Sequence, residues 1–187
     1  TIINGELQGG VTTMRLVEKM DAGAIYLQDA LPLASDETTG SLQKKLTPIG
    51  ASLLLETIRR LKQGTLRPQE QDEAQATLAP ILKKEDGLID WRRAAVEIER
   101  RVRGFDPWPG SYTYLAGKLL KVHRATLISS EFAGSPGEIV RAHADAFWVR
   151  TSSGVIALEE VQLENKKRLP AAEFIKGARI KAGDRLG

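Results

Sequence analysis

The residues with the most definite chemical character in this 187-residue chain are cationic. Lys83 and Lys84 stand side by side, Arg92, Arg93, Arg100 and Arg101 follow within one stretch, and Lys166, Lys167 and Arg168 form a third group. Net charge is +3 but unevenly spread: residues 1–64 carry seven Lys/Arg against seven Asp/Glu, residues 91–127 eight against three, and residues 165–187 seven against two. Clustered ammonium and guanidinium groups suit the phosphates of a polyanion, and a solvated surface explains such charge about as often. Acid–base candidates are few. Asp21 lies in Met20-Asp21-Ala22-Gly23, where turn chemistry by itself accounts for an aspartate. His123 and His143 fall in strand-like and turn-like segments and are expected to be structural or surface residues. With no cysteine and two histidines, neither thiolate chemistry nor a metal site is expected, and the composition fits a reducing compartment.

The elements that must position these groups follow from hydropathy patterns. Trp91, Ala95, Ile98, Val102 and Phe105 recur at gaps of four and three, which predicts a helix of about four turns capped by Asp90. Arg93, Glu97, Arg100 and Arg101 fall on its other side. Gly104 can end it, Pro107 and Pro109 forbid its continuation, and Trp108 between them is expected as a rigid corner, committed to the fold. Upstream, Val11–Lys19 and Ala24–Leu33 have strand character around the Asp21 turn and predict a hairpin. Leu42, Leu46, Ile49, Leu53, Leu54, Ile58 and Leu61 predict a helix over Ser41–Gln63, stopped by Gly64 and kinked or irregular at Pro48.

Residues 65–80 are polar, contain two prolines and lack periodicity, as a connector does. Beyond it, Ser111–Leu115, Lys118–Leu127, Gly137–Arg141, Ala146–Arg150 and Gly154–Leu163 alternate with turn signals, which predicts a small sandwich or barrel; a short helix over Pro170–Lys176 follows. No apolar run approaches the roughly 18–20 residues of a membrane span, so no membrane partner is expected. A chain that opens on Thr1 is expected to be a fragment of a longer protein.

Three stretches also resemble a known family. Gly10-Val11-Thr12, Met14, Asp21 and Gly23 resemble the end of the catalytic domain in enzymes that use 10-formyltetrahydrofolate, with Gly9 where a Thr is usual. Gln71-Asp72, Ala79-Pro80 and Lys83-x-Glu85-Asp86-Gly87, followed by Ile89-Asp90-Trp91, Val102-Arg103-Gly104-Phe105 and Pro107-Trp108-Pro109-Gly110, resemble the connector and C-terminal domain of methionyl-tRNA formyltransferases. Val161-Gln162-Leu163, Lys166-Lys167, Gly177-Ala178-Arg179-Ile180 and Gly183-Asp184-Arg185-Leu186 resemble that family's closing pattern, with Asn165 where Gly is usual.

The resemblance implies an α/β plus β fold. Residues 1–64 would be the tail of a Rossmann-like catalytic domain, 65–80 a linker, and 81–187 an OB-like barrel. It implies transfer of a formyl group from 10-formyltetrahydrofolate to the methionyl amine of initiator tRNA, with Asp21 as the catalytic aspartate and no metal. The nine cations named above would contact tRNA phosphates, in a monomeric cytoplasmic enzyme. The family's catalytic Asn and His have no equivalent here, so the chain alone is expected to be inactive. A formyltransferase acting on sugar nucleotides, or a non-catalytic RNA-binding barrel, are the alternative readings.

Overall fold

The β-branched residues flanking the Asp21 turn do form a hairpin. In the computed structural model, which describes residues 1–130, 132–142 and 145–187, β1 (Gln8–Met14) pairs antiparallel with β2 (Ile25–Pro32), from Gln8 opposite Pro32 to Met14 opposite Ile25. The first strand is displaced from its predicted range of Val11–Lys19. It begins earlier because Gly9 and Gly10 pair through backbone alone, which side-chain propensity does not report. It ends earlier because the register shifts between Thr13 and Met14, beyond which Arg15 N–H makes one further cross-hairpin bond, to Ala24 O at 2.9 Å. The expectation for His143 lies outside the described residues.

Helix α1 (Thr39–Lys62) starts ahead of its predicted first residue because Thr38 and Ser41 form a reciprocal cap: Ser41 N–H donates to Thr38 Oγ1 at 3.2 Å and Thr38 N–H to Ser41 Oγ at 3.0 Å. The helix is continuous through Pro48, so no irregular first turn forms there. On β1 it is anchored by Thr57, whose hydroxyl donates to Leu53 O and shares a 2.8 Å hydrogen bond with Thr13. Leu42 and Thr57 are its buried residues, whereas Leu54, Leu55, Ile58 and Leu61 are 43–70% exposed. The connector is less featureless than its composition. Ile25 and Gln69 exchange backbone hydrogen bonds of 2.7 and 2.8 Å, and Asp72 caps a 3-10 turn at Glu73–Gln75. These belong to one compact unit, Thr1 with Glu6–Ile81; the other comprises Ile2–Gly5 and Leu82–Gly187.

The second unit opens with a 3-10 turn at Lys84–Gly87 and then α2 (Ala95–Gly104). That helix is shorter than predicted, and its N-cap is Ala94, not Asp90. The Asp90 carboxylate instead accepts from the backbone N–H and the guanidinium of Arg92, at 3.1 and 2.8 Å. Trp91 precedes the helix yet lies in the same core as the apolar stripe, 5% exposed, with its indole N–H donating to Thr113 Oγ1 at 3.1 Å.

Five strands, β3 (Ser111–Leu115), β4 (Lys118–Ile128), β5 (Ile139–Ala142), β6 (Phe147–Arg150) and β7 (Val155–Leu163), pair antiparallel in the order β3-β4-β7-β6-β5. A two-residue β8 (Leu169–Pro170) adds to β7 and leads into α3 (Ala171–Ala178). Among the described residues the edges β3 and β5 are not paired with each other. Residues 183–187 touch both: Leu186 bridges Leu115, Arg185 bridges Glu138, and Gly187 N–H donates to Tyr114 O at 3.0 Å. Ile98, Val102, Leu120, Ile139, Phe147, Val149, Ile156, Leu158 and Val161 fill the core between sheet and helices.

Candidate functional sites

Asp21 sits at φ +56°, in the left-handed region that Asp tolerates better than most residues. Gly23 must be glycine, because a Cβ there would collide with the carbonyl of Arg15. The turn is then pinned from outside the hairpin. Gln71 donates both amide hydrogens, to Asp21 O at 2.8 Å and to Gly23 O at 2.7 Å. Lys19 pairs with Glu73 at 2.7 Å across the same connector, which holds the Glu73 carboxyl below its usual range. The Asp21 side chain is exposed and makes no hydrogen bond among the described residues. A carboxylate on a held backbone and without an internal partner can charge-pair with an imidazolium or accept a proton. The role of Gln71 has no signature in composition or periodicity.

The nine cations divide into two classes. Lys83, Lys84, Lys166 and Lys167 are exposed and have no carboxylate within ion-pair distance among the described residues. Lys166 and Lys167 follow Asn165, which takes φ +59° between β7 and β8, a conformation open to Gly or Asn. The arginines are engaged. Arg92 pairs with Asp90 at 2.8 Å, Arg93 with Glu97 at 3.4 Å and Arg168 with Glu160 at 2.5 Å. Arg101 donates to Asp86 O at 3.2 Å and lies 4.8 Å from the Phe105 ring centroid, and burial lowers its pKa. The Arg100 guanidinium covers the backbone at Gly5. The cationic helix face expected from sequence is thus broken up, with Arg100 against residue 5 and Arg101 against residue 86.

His123 is half-buried, and its Nε2 meets Gln162 Oε1 at 3.2 Å. The Gln162 amide nitrogen donates to Lys166 O at 2.9 Å, which leaves Oε1 to accept from the ring. Burial, then Arg168, lowers its pKa and favours neutral imidazole. Trp108 is 56% exposed, a correction to its expected commitment to the fold. In the same turn after α2, Asp106–Pro107 and Trp108–Pro109 are cis peptide bonds. Trp148 meets the Phe132 ring edge to face at 5.3 Å, and the Arg141 guanidinium lies over its ring at 4.7 Å. Among the described residues no group of three or more His, Asp or Glu is placed to hold a metal, and no helix is long and apolar enough to cross a membrane.

Comparison with known proteins adds a family to this geometry. The description "Formyl transferase, C-terminal domain" matches residues 81–179, and "Formyl transferase" matches residues 1–58. Methionyl-tRNA formyltransferase of Citrifermentans bemidjiense is 46% identical over 186 residues, all of this chain and 58% of that protein. The protein of the same name from Acidobacterium capsulatum is 46% identical over 98% of this chain and 59% of its own length. The chain therefore spans somewhat over half the length of these curated relatives. Among solved structures, a variant of HypX from Aquifex aeolicus is similar at TM-score 0.67 and 23% identity, covering 98% of this chain and 33% of that one. An N-formyltransferase from Helicobacter canadensis reaches 0.65 at 20% identity, covering 84% and 57%. Methionyl-tRNA formyltransferase from Clostridium thermocellum reaches 0.52 at 16%, covering 87% and 60%. At these identities the structural likeness speaks for the fold alone.

Proposed function

The chain belongs to the formyl transferase family, and from that membership we propose that it works as the C-terminal part of an enzyme that formylates the methionyl amine of initiator tRNA, with 10-formyltetrahydrofolate as donor. The observation that carries this reading is the match over all of this chain, and 58% of the relative, at 46% identity to a methionyl-tRNA formyltransferase. The Asp21 turn agrees with it: an open carboxylate is held on a fixed backbone.

In the reaction the amine nitrogen attacks the formyl carbon and a tetrahedral intermediate forms. It collapses as the bond to the folate nitrogen breaks, and that nitrogen takes up the proton the amine loses. The Asp21 carboxylate holds a neighbouring imidazole in its charged form and passes the proton along. The Asn and His that would stabilise the oxyanion belong to a part of the enzyme outside this sequence, so the 187 residues alone are inactive on this reading.

Residues 1–64 end the catalytic domain, 65–80 link, and 81–187 form the tRNA-binding domain. An OB-like arrangement is the reading for its sheet, which is open in the order β3-β4-β7-β6-β5, with residues 183–187 bridging Leu115 and Glu138 beside its two edges. Lys83, Lys84, Lys166 and Lys167 are the phosphate contacts best supported, being exposed and without an ion-pair partner among the described residues. Arg92, Arg93 and Arg168 follow, with partners they can exchange for phosphate. A monomeric enzyme of the cytoplasm fits this role.

The test is an assay of the full-length enzyme with charged initiator tRNA and a labelled formyl donor. Formylmethionyl-tRNA is the expected product, and a failure to label the tRNA would overturn the reading.

A further inference from the structure

Gln71 is exposed and adds nothing to a hydrophobic core, yet its side chain makes the closest long-range polar contacts of the Asp21 turn. A glutamine amide has two N–H donors. Both are used, on the carbonyls of Asp21 and Gly23, two residues apart in sequence and fifty and forty-eight residues from Gln71. Two carbonyl oxygens that repel each other are thereby brought to one donor group, which fixes the Asp21–Ala22 and Gly23–Ala24 peptide planes. That matters at this position because Asp21 is a non-glycine residue in left-handed backbone, a conformation that costs energy and persists only when its surroundings impose it. The amide is itself placed by the backbone pair between Ile25 and Gln69, which docks the connector beside the start of β2 two residues before Gln71. Asp72, capping the next turn, and the Lys19–Glu73 ion pair hold the chain on the far side.

We propose that Gln71 is a positioning residue for formyl transfer: its carboxamide clamps the Asp21 and Gly23 carbonyls and so aims the Asp21 carboxylate at the reacting groups. The proposal rests on the reading of Asp21 given above. It assigns the connector a share in the chemistry, because the segment that leads to the second unit also shapes the turn bearing the acid.

Two measurements test it. In the 187-residue chain, Gln71→Met keeps the length and removes both donors. The backbone amide resonances of Ala22 and Ala24, which follow the clamped carbonyls, should move, while those of β4 and β7 stay in place. In the full-length enzyme the same substitution should lower kcat about 10²-fold with KM for the tRNA unchanged, the scale expected when a catalytic group is misplaced by about an ångström. In an Asp21→Asn background it should cost less than about twofold, because the effect passes through Asp21. Gln71→Glu, which sets an acceptor against two acceptors, should act in the same direction. Losses that multiply in the double variant, a loss confined to KM, or unmoved Ala22 and Ala24 amides would each overturn the clamp. Wild-type rates in Asp21→Asn would overturn the reading of Asp21 beneath it. Those two failures are therefore distinct.

Discussion

Helices α1 and α2 are both amphipathic in sequence, and they differ in what meets the apolar side. In α2, Ala95, Ile98, Val102 and Gly104 are buried out of ten residues, against β4 and β7. In α1, with 24 residues, only Leu42 and Thr57 are buried, and its second half leaves Leu54, Leu55, Ile58 and Leu61 substantially exposed. Helical periodicity thus reports a face that asks for burial and does not say whether a partner is present. The second unit carries the large apolar cluster, whereas the first is held together by a hairpin ladder, one hydroxyl pair and ion pairs on the helix.

The sharpest way to break that contrast is truncation of an apolar side chain on each side of it. Phe147→Ala, at a fully buried position, should destabilise the second unit by about 3–5 kcal/mol, while Leu55→Ala should change stability by less than about 0.5 kcal/mol. Urea unfolding of both variants checks this, and equal costs would mean that α1 is covered in solution. A smaller effect is expected from Thr113→Val, which leaves the buried Trp91 indole N–H without its acceptor and should cost the second unit about 1–3 kcal/mol in the same measurement. Amide exchange should then divide along the same line, with β1 and β2 exchanging through local opening while β4 and β7 wait for global unfolding. Uniform protection would erase the distinction.

The mildest test is pH. His123 has a lowered pKa in the fold, so the unfolded chain takes up its proton first, and the second unit loses stability as pH falls below the ordinary value of 6.5. In the first unit the pairs are carboxylates. Glu37 is 2% exposed and held below its usual range by Lys45 at 2.6 Å and then by Ser41. Glu56 is drawn down to about 2 by Arg59 and then Arg60. Both contributions are complete above the unfolded value near 4.5 and are lost as pH falls below it, that of Glu56 only near 2. His123→Gln should flatten the stability profile just below pH 6.5, and Glu37→Gln only the more acidic limb.

The strands beyond Gly110 were legible because β-branched runs alternate with Gly-containing turns: β3 matches its predicted range, β4, β6 and β7 differ by one residue at one end, and β5 starts two residues later and ends one later. The two-residue β8 was not, since a pairing that short has no periodicity. Asp90 and Trp91 fitted a helix by spacing, but Asp90 found a nearer donor in Arg92 and Trp91 found Thr113 across the core. Asp21 could be singled out by its turn and its context. Gln71 appeared only within the connector's resemblance and without a role, because what distinguishes it is a side-chain bond spanning fifty positions. The cations were legible as charges, while the engagement of Arg100 with residue 5 and of Arg101 with residue 86 is tertiary.

All three tryptophans, at 91, 108 and 148, lie in the second unit, and the longest helix lies in the first. Indole emission therefore reports on one unit only, while much of the helical ellipticity comes from the other. The molecule carries two optical labels that need no chemistry to attach. Trp91, buried beside Thr113, marks opening of the core, and Trp108, already half in solvent, serves as an internal reference. Superimposable emission and ellipticity curves on heating would mean that the two units unfold as one cooperative system; separated midpoints would resolve them in a single cuvette.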